Sequence, residues 1–125
     1  MIGRLFDQLN PEVLDDLILK LDWLDLGRGE ILCHQGEDGD SLYILITGRL
    51  RAIVGFGSNQ EREVGEISPG ETVGEMAMIT GEPRTATIVA LRDSCLVRLL
   101  KSDFDALIKR HPEVLLALSG ALWLY

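Results

Sequence analysis

From Trp23 to Leu100 the chain changes direction too often to carry crossover helices. Trp23-Leu24-Asp25-Leu26 is strand-like, and Gly27-Arg28-Gly29 is a turn. Ile31, Leu32 and Cys33 make a second short strand before the polar loop Gln35-Gly36-Glu37-Asp38-Gly39-Asp40. Ser41 to Thr47, SLYILIT, is rich in β-formers. Gly48 interrupts it, and Leu50 to Phe56 resumes. Gly57-Ser58-Asn59-Gln60 is a hairpin-type loop, and Val64 to Ile67 returns. Thr87 to Leu91 and Ser94 to Leu100 follow, joined by Arg92-Asp93. Short strands between turns predict an all-β barrel or sandwich. Parallel strands need connections of a dozen or more residues, usually a helix, and these gaps hold none. The 125 residues fit one domain, with 46% hydrophobic residues to fill its core.

Helices are expected at both ends. Ile2, Leu5, Phe6 and Leu9 recur at helical spacing. Asn10-Pro11 reads as a cap followed by a first-turn proline, with Val13, Leu14, Leu17, Ile18 and Leu21 along one face. Ser102 with Asp105 is a capping box in its Asp form, opening a helix whose buried stripe is Phe104, Leu107 and Ile108. His111-Pro112 ends it, and His111 reads as a surface or capping histidine rather than a metal ligand. Val114 to Tyr125 is apolar nearly all round, so it wants burial on more than one side. It stops without a capping signal. The native chain is therefore expected to continue, with this helix against the following part or a second copy in a homodimer. The expected division is a helical segment over 1–22, a β-barrel over 23–100 and C-terminal helices over 101–125.

One stretch of the barrel is built differently: Pro69 to Thr87, PGETVGEMAMITGEPRTAT. Gly74 frees the backbone to approach a ligand. Glu75 to Thr80 is long enough for about one and a half helical turns, and Gly81-Glu82-Pro83 ends them. The first amides of such a helix have no internal partner and suit a phosphate. Arg84 can close the anion from the other side with paired donors. Glu75 is a poor neighbour for a phosphate but a good acceptor for a sugar hydroxyl. The set suits a ribose phosphate. Glu75 with Arg84, or Arg84 with Glu82, could also pair as a surface turn.

On these residues the chain resembles the cyclic nucleotide-binding domain family of the cyclic-AMP receptor protein and protein kinase A regulatory subunit. That family's phosphate-binding cassette reads Gly-Glu-hydrophobic-Ala, a spacer, then Pro-Arg-small-Ala-Thr. This chain has Gly74-Glu75-Met76-Ala77 and Pro83-Arg84-Thr85-Ala86-Thr87, with a matching spacer. The resemblance implies a β jelly-roll barrel with flanking helices and a cassette over 69–87. It implies Glu75 on the ribose 2′-hydroxyl, Gly74 against the ribose and Arg84 on the cyclic phosphate. Backbone amides of Ala77 and Ala86 would take the phosphate oxygens. A hydroxyl at Thr85 would help a syn guanine, so cyclic AMP and cyclic GMP both stay open. A residue of the C-terminal helix caps the base in the family. Trp123 and Tyr125 are the candidates by chemistry, with an interface or core role as the alternative. Val73 departs from the Phe often found there. The polar loop, which lacks EF-hand spacing, resembles a structural turn of the family, with Gly36 and Gly39 architectural.

Composition narrows the function further. Net charge is −8, from 12 Lys and Arg against 20 Asp and Glu, and no basic stripe for nucleic acid is visible. Any anion must therefore be held locally by directed donors. Cys33 and Cys95 read as buried free thiols, and two cysteines make no zinc site. No nucleophile elbow, P-loop or paired-carboxylate pattern occurs, so no enzyme activity, cofactor or metal is expected of this segment. No apolar run reaches the ~18 residues of a membrane span, and no signal peptide appears, which points to the cytoplasm. The expected function is a regulatory domain that senses cyclic AMP or cyclic GMP and switches an effector domain in the same polypeptide. Arg92-Asp93-Ser94 and Arg110-His111-Pro112-Glu113-Val114 resemble such domains in patatin-like phospholipases of the neuropathy target esterase type. A transcription regulator, a channel or transporter, and a barrel that has lost its ligand are the other readings.

Overall fold

The computed structural model describes residues 11–113, excepting the side chains of Leu14, Glu75, Met76 and Ile79. The helix expected over 2–9 and the segment Val114 to Tyr125, with Trp123 and Tyr125, lie outside the described residues. Helix α1 is Pro11–Ile18. The strands are β1 Asp22–Leu26, β2 Ile31–Cys33, β3 Ser41–Thr47, β4 Leu50–Val54, β5 Arg62–Ile67 and β6 Thr72–Val73. Helix α2, Glu75–Thr80, precedes β7 Thr87–Ala90 and β8 Ser94–Leu100, and α3 is Lys101–Arg110. Two four-stranded antiparallel sheets result, ordered β1-β8-β3-β6 and β2-β7-β4-β5. The chain is mainly β, as the turn spacing predicts, and the arrangement is a jelly roll, as the family resemblance implies.

The order of residues along β3 explains how the layers stack. Tyr43 and Leu45 face the second sheet, where they meet Leu50, Ala52, Ile67, Ile88 and Ala90. Leu42 and Ile44 face the other way, with Val97 and Leu99 of β8. Val13 and Leu17 of α1, Met78 of α2, and Phe104 and Leu107 of α3 cover that side. SLYILIT is thus apolar without alternation because both of its faces are dry. The helices that bracket the strands in sequence lie on the sheet that carries the cassette.

Four expectations need correction. Ile18 does not belong to the buried stripe: α1 ends there, and the side chain is 58% exposed. The capping box at Ser102 does not form. β8 runs straight into α3, extended Leu100 takes the cap position, and no side chain caps the end. The amide of Lys101 is satisfied by the Asp40 carbonyl at 2.9 Å, which leaves Ser102 inside the first turn. Asp105 pairs with Lys101 at 3.6 Å. Of the two readings of His111, capping holds and surface does not: it is the C-cap of α3, its amide donating to the Leu107 carbonyl at 2.8 Å. It is mostly buried, its Nε2 lies 2.9 Å from Asp16 Oδ2 of α1, and this contact holds the Asp16 carboxyl below its usual range. Cys33 is buried and free, but Cys95, also free, is only half-buried.

Thr72 of β6 lies opposite Ile44, and its hydroxyl is buried without a hydrogen bond. An unsatisfied buried hydroxyl costs about 1–3 kcal/mol. Thr72→Val keeps the shape and removes the oxygen. It should raise the thermal unfolding midpoint by roughly 4 °C, the equivalent of about 1 kcal/mol for a domain of this size. A lowered midpoint would show that the hydroxyl is used.

Candidate functional site

The site begins with a backbone turn that a side chain would obstruct. β6 ends at Val73, packed in the inter-sheet core, and Gly74 turns the chain with φ 92° and ψ 5°. That is the left-handed region, open to glycine at little cost. Helix α2 follows at once. Its first intrahelical bond runs from the Met78 amide to the Gly74 carbonyl at 3.2 Å, so the amides of residues 75–77 precede the helical ladder. Gly81, with φ 75°, closes the helix by donating to the Ala77 carbonyl at 2.9 Å.

The chain then returns past the polar loop. The Arg84 amide donates to the Glu37 carbonyl at 2.8 Å, and the Gly36 amide donates to the Arg84 carbonyl at 2.8 Å. The Gln35 amide reaches Thr87 Oγ1 at 3.0 Å. These bonds fix the backbone on both sides of Arg84. The same loop presses on α2: a Cβ on Gly39 would stand 2.1 Å from the Ala77 Cβ. Gly36 adopts φ 88°. Both glycines therefore serve the architecture, one by conformation and one by clearance.

Arg84 lies inside the protein, only 5% exposed. Its Nη2 donates to the Ser41 carbonyl at 2.7 Å. Its Cζ stands over the Tyr43 ring, 5.7 Å from the centroid. A Cβ on Gly74 would come within 1.8 Å of Nη1, so the guanidinium occupies the space that glycine leaves. Nη1 itself is buried and has no hydrogen-bond partner. Neither Glu82, which is exposed, nor any other described carboxylate forms an ion pair with Arg84. A buried cationic donor without an acceptor is costly and is the natural seat for an anion.

Of the residues picked from sequence, the fold brings Gly74 and Arg84 into contact and sets Ala77 in the first turn after Gly74. Ala86 is buried beside Arg84 in sequence, whereas Thr85 between them is exposed. The side chains of Glu75 and Met76 lie outside the description. Sequence reasoning missed Ser41, Tyr43 and the packing role of Gly39. A backbone carbonyl has no sequence signature, and Tyr43 is hidden inside an ordinary strand. Nearby electrostatics are quiet. The backbone N–H and the ring of His34 hold the Glu37 carboxyl below its usual range, and Arg84 adds a smaller pull. Burial pushes the Cys33 thiol up against the opposing charge of Arg84, which makes it a poor nucleophile. Among the described residues no group of three or more His, Cys, Asp or Glu could hold a metal ion. No helix among them is long and apolar enough to cross a membrane.

Residues 23–111 match the family described as "Cyclic nucleotide-binding domain". The lysophospholipase nte1 of Neosartorya fischeri is 34% identical over 118 residues, or 94% of this chain and 8% of that protein. The lysophospholipase NTE1 of Coccidioides immitis is 34% identical over 87% of this chain and 7% of its own length. The chain thus spans less than a tenth of these curated relatives. Among solved structures, the Thermus thermophilus catabolite activator protein superposes with a TM-score of 0.83 at 32% identity, over 94% of this chain and 55% of that one. The regulatory domain of Toxoplasma gondii PKA, crystallised with cAMP, superposes with a TM-score of 0.77 at 30% identity, over 85% of this chain and 40% of that one.

Proposed function

We propose, starting from the fact that this chain belongs to the cyclic nucleotide-binding domain family, that the crevice between Gly74, α2 and Arg84 binds a cyclic nucleotide and that its occupancy switches an attached effector. The observation that carries this reading is the buried Arg84 guanidinium with Nη1 unpartnered. A cyclic phosphate supplies the missing acceptor. The amides at the start of α2 and that of Ala86 would share its remaining oxygens, and Glu75 would take the ribose 2′-hydroxyl. Gly74 lets the sugar approach the backbone.

Switching would pass through contacts that link the cassette to α3. The loop before β3 holds the Arg84 backbone, packs Gly39 on Ala77 and gives the Asp40 carbonyl to the first amide of α3. A ligand that tightens α2 and Arg84 would therefore load a segment that also anchors α3. It can bias the packing only through its different affinity for the two arrangements. The effector best supported is a phospholipase catalytic domain, because the curated relatives are lysophospholipases. In this reading the domain regulates and does no chemistry.

The test is thermal stabilisation by cyclic AMP and cyclic GMP. A ligand at a hundred times its Kd should add about 2.7 kcal/mol. A barrel kept only for its contacts would show no shift with either. Thr85→Ala should weaken cyclic GMP by roughly fivefold, about 1 kcal/mol for one hydroxyl. It should leave cyclic AMP nearly unchanged, as read by competition binding. An equal loss for both would make Thr85 a strand-entry residue without a part in selectivity.

A further inference from the structure

The Arg84 guanidinium is held in place without the help of any described carboxylate. Three things hold it: the Ser41 carbonyl 2.7 Å from Nη2, the clearance over Gly74, and the face of Tyr43 beneath Cζ. Tyr43 belongs to β3, opposite Val73 of β6, so the ring is fixed by the strand pair that ends in the cassette. It is 9% exposed and packs in the inter-sheet core.

We propose that Tyr43 is a positioning residue for the anion site, acting through its ring face and not through its hydroxyl. The proposal rests on the reading that Arg84 takes the phosphate. A cation over an aromatic face is attracted by the ring quadrupole, more strongly when both are out of water. The contact uses none of the arginine's N–H donors. A carboxylate in the same place would take a pair of donors and compete with the incoming phosphate. The ring therefore orients the guanidinium while leaving Nη1 available, the atom found without a partner. Preorganisation of this kind strengthens binding by reducing what must be ordered when the ligand arrives.

The experiment compares Tyr43→Phe with Tyr43→Leu and Tyr43→Met, the last as an unbranched side chain that fills the core if leucine disturbs it. Each is titrated with cyclic AMP, and the Arg84 side-chain N–H signals are followed by heteronuclear NMR in the ligand-free protein. Tyr43→Phe should bind within twofold of the native protein and keep the Arg84 signals displaced upfield by the ring. The two non-aromatic variants should bind about tenfold more weakly at unchanged secondary structure and lose that displacement. Native affinity in both non-aromatic variants, or Tyr43→Phe weakened as much as they are, would overturn the proposal. So would Arg84 signals that do not move when the ring is removed. If the native protein binds no cyclic nucleotide, the functional reading fails, and the NMR comparison still decides whether Tyr43 orients Arg84.

Discussion

Arg84→Ala should lose most of the affinity for cyclic nucleotides while the domain stays folded. The guanidinium is 5% exposed, and its Nη1 has no partner in the ligand-free protein. A hydrogen bond from a charged donor contributes about 1.5–3 kcal/mol, or roughly ten- to a hundredfold in affinity. Two such bonds to one phosphate would take the loss well beyond a hundredfold. Stability responds differently. The substitution removes the bond to the Ser41 carbonyl and the contact with Tyr43, but it also removes a buried unpaired charge. These effects oppose each other, so the unfolding midpoint should shift far less than the affinity. Calorimetric titration together with thermal unfolding separates the two. Affinity retained within threefold would rule out Arg84 as the phosphate ligand.

The second large effect is expected at Gly74. Gly74→Ala places a Cβ in the left-handed region, a cost of about 1–2 kcal/mol. That Cβ would also stand 1.8 Å from Arg84 Nη1 and 2.8 Å from the Ser41 carbonyl oxygen. One neighbour is a side chain that must leave its place, and the other is backbone of β3. The variant should therefore lose ligand binding as fully as Arg84→Ala. It should also unfold roughly 12 °C earlier, from about 3 kcal/mol of strain and overlap together. Gly81→Ala is the matched comparison. Gly81 has φ 75°, but nothing lies within 4 Å of its added Cβ. It should carry the conformational cost alone and keep its affinity. If both variants bind equally well, the close approach of Arg84 to Gly74 is irrelevant to the site.

The antiparallel β character was legible because turn spacing is local, and the jelly roll because the cassette resembles its family's. Gly48, the loop at 57–60 and Arg92-Asp93 stand where strands end, and the cassette helix has the length its residues suggest. What escaped was set by contacts far apart in the chain. β6 is two residues long, too short for periodicity to reveal. His111 meets Asp16 across 95 positions, a pairing that neither local pattern announces. The Ser102 capping box did not form because β8 runs directly into α3 with Leu100 at the cap position, and the first amide of α3 takes a carbonyl from a distant loop, Asp40. The site shows the same division. Gly74 and Arg84 could be picked from the cassette pattern, as could a short helix between glycines. The cradle around the guanidinium could not, since it is made by a backbone carbonyl and an aromatic ring on β3.

This crevice is expected to bind a cyclic nucleotide through Arg84. Titration calorimetry of the native chain with cyclic AMP and with cyclic GMP tests it most directly. One site per chain of micromolar or tighter affinity is expected for at least one of the two nucleotides. No heat with either nucleotide, and no shift of the unfolding midpoint, would contradict it.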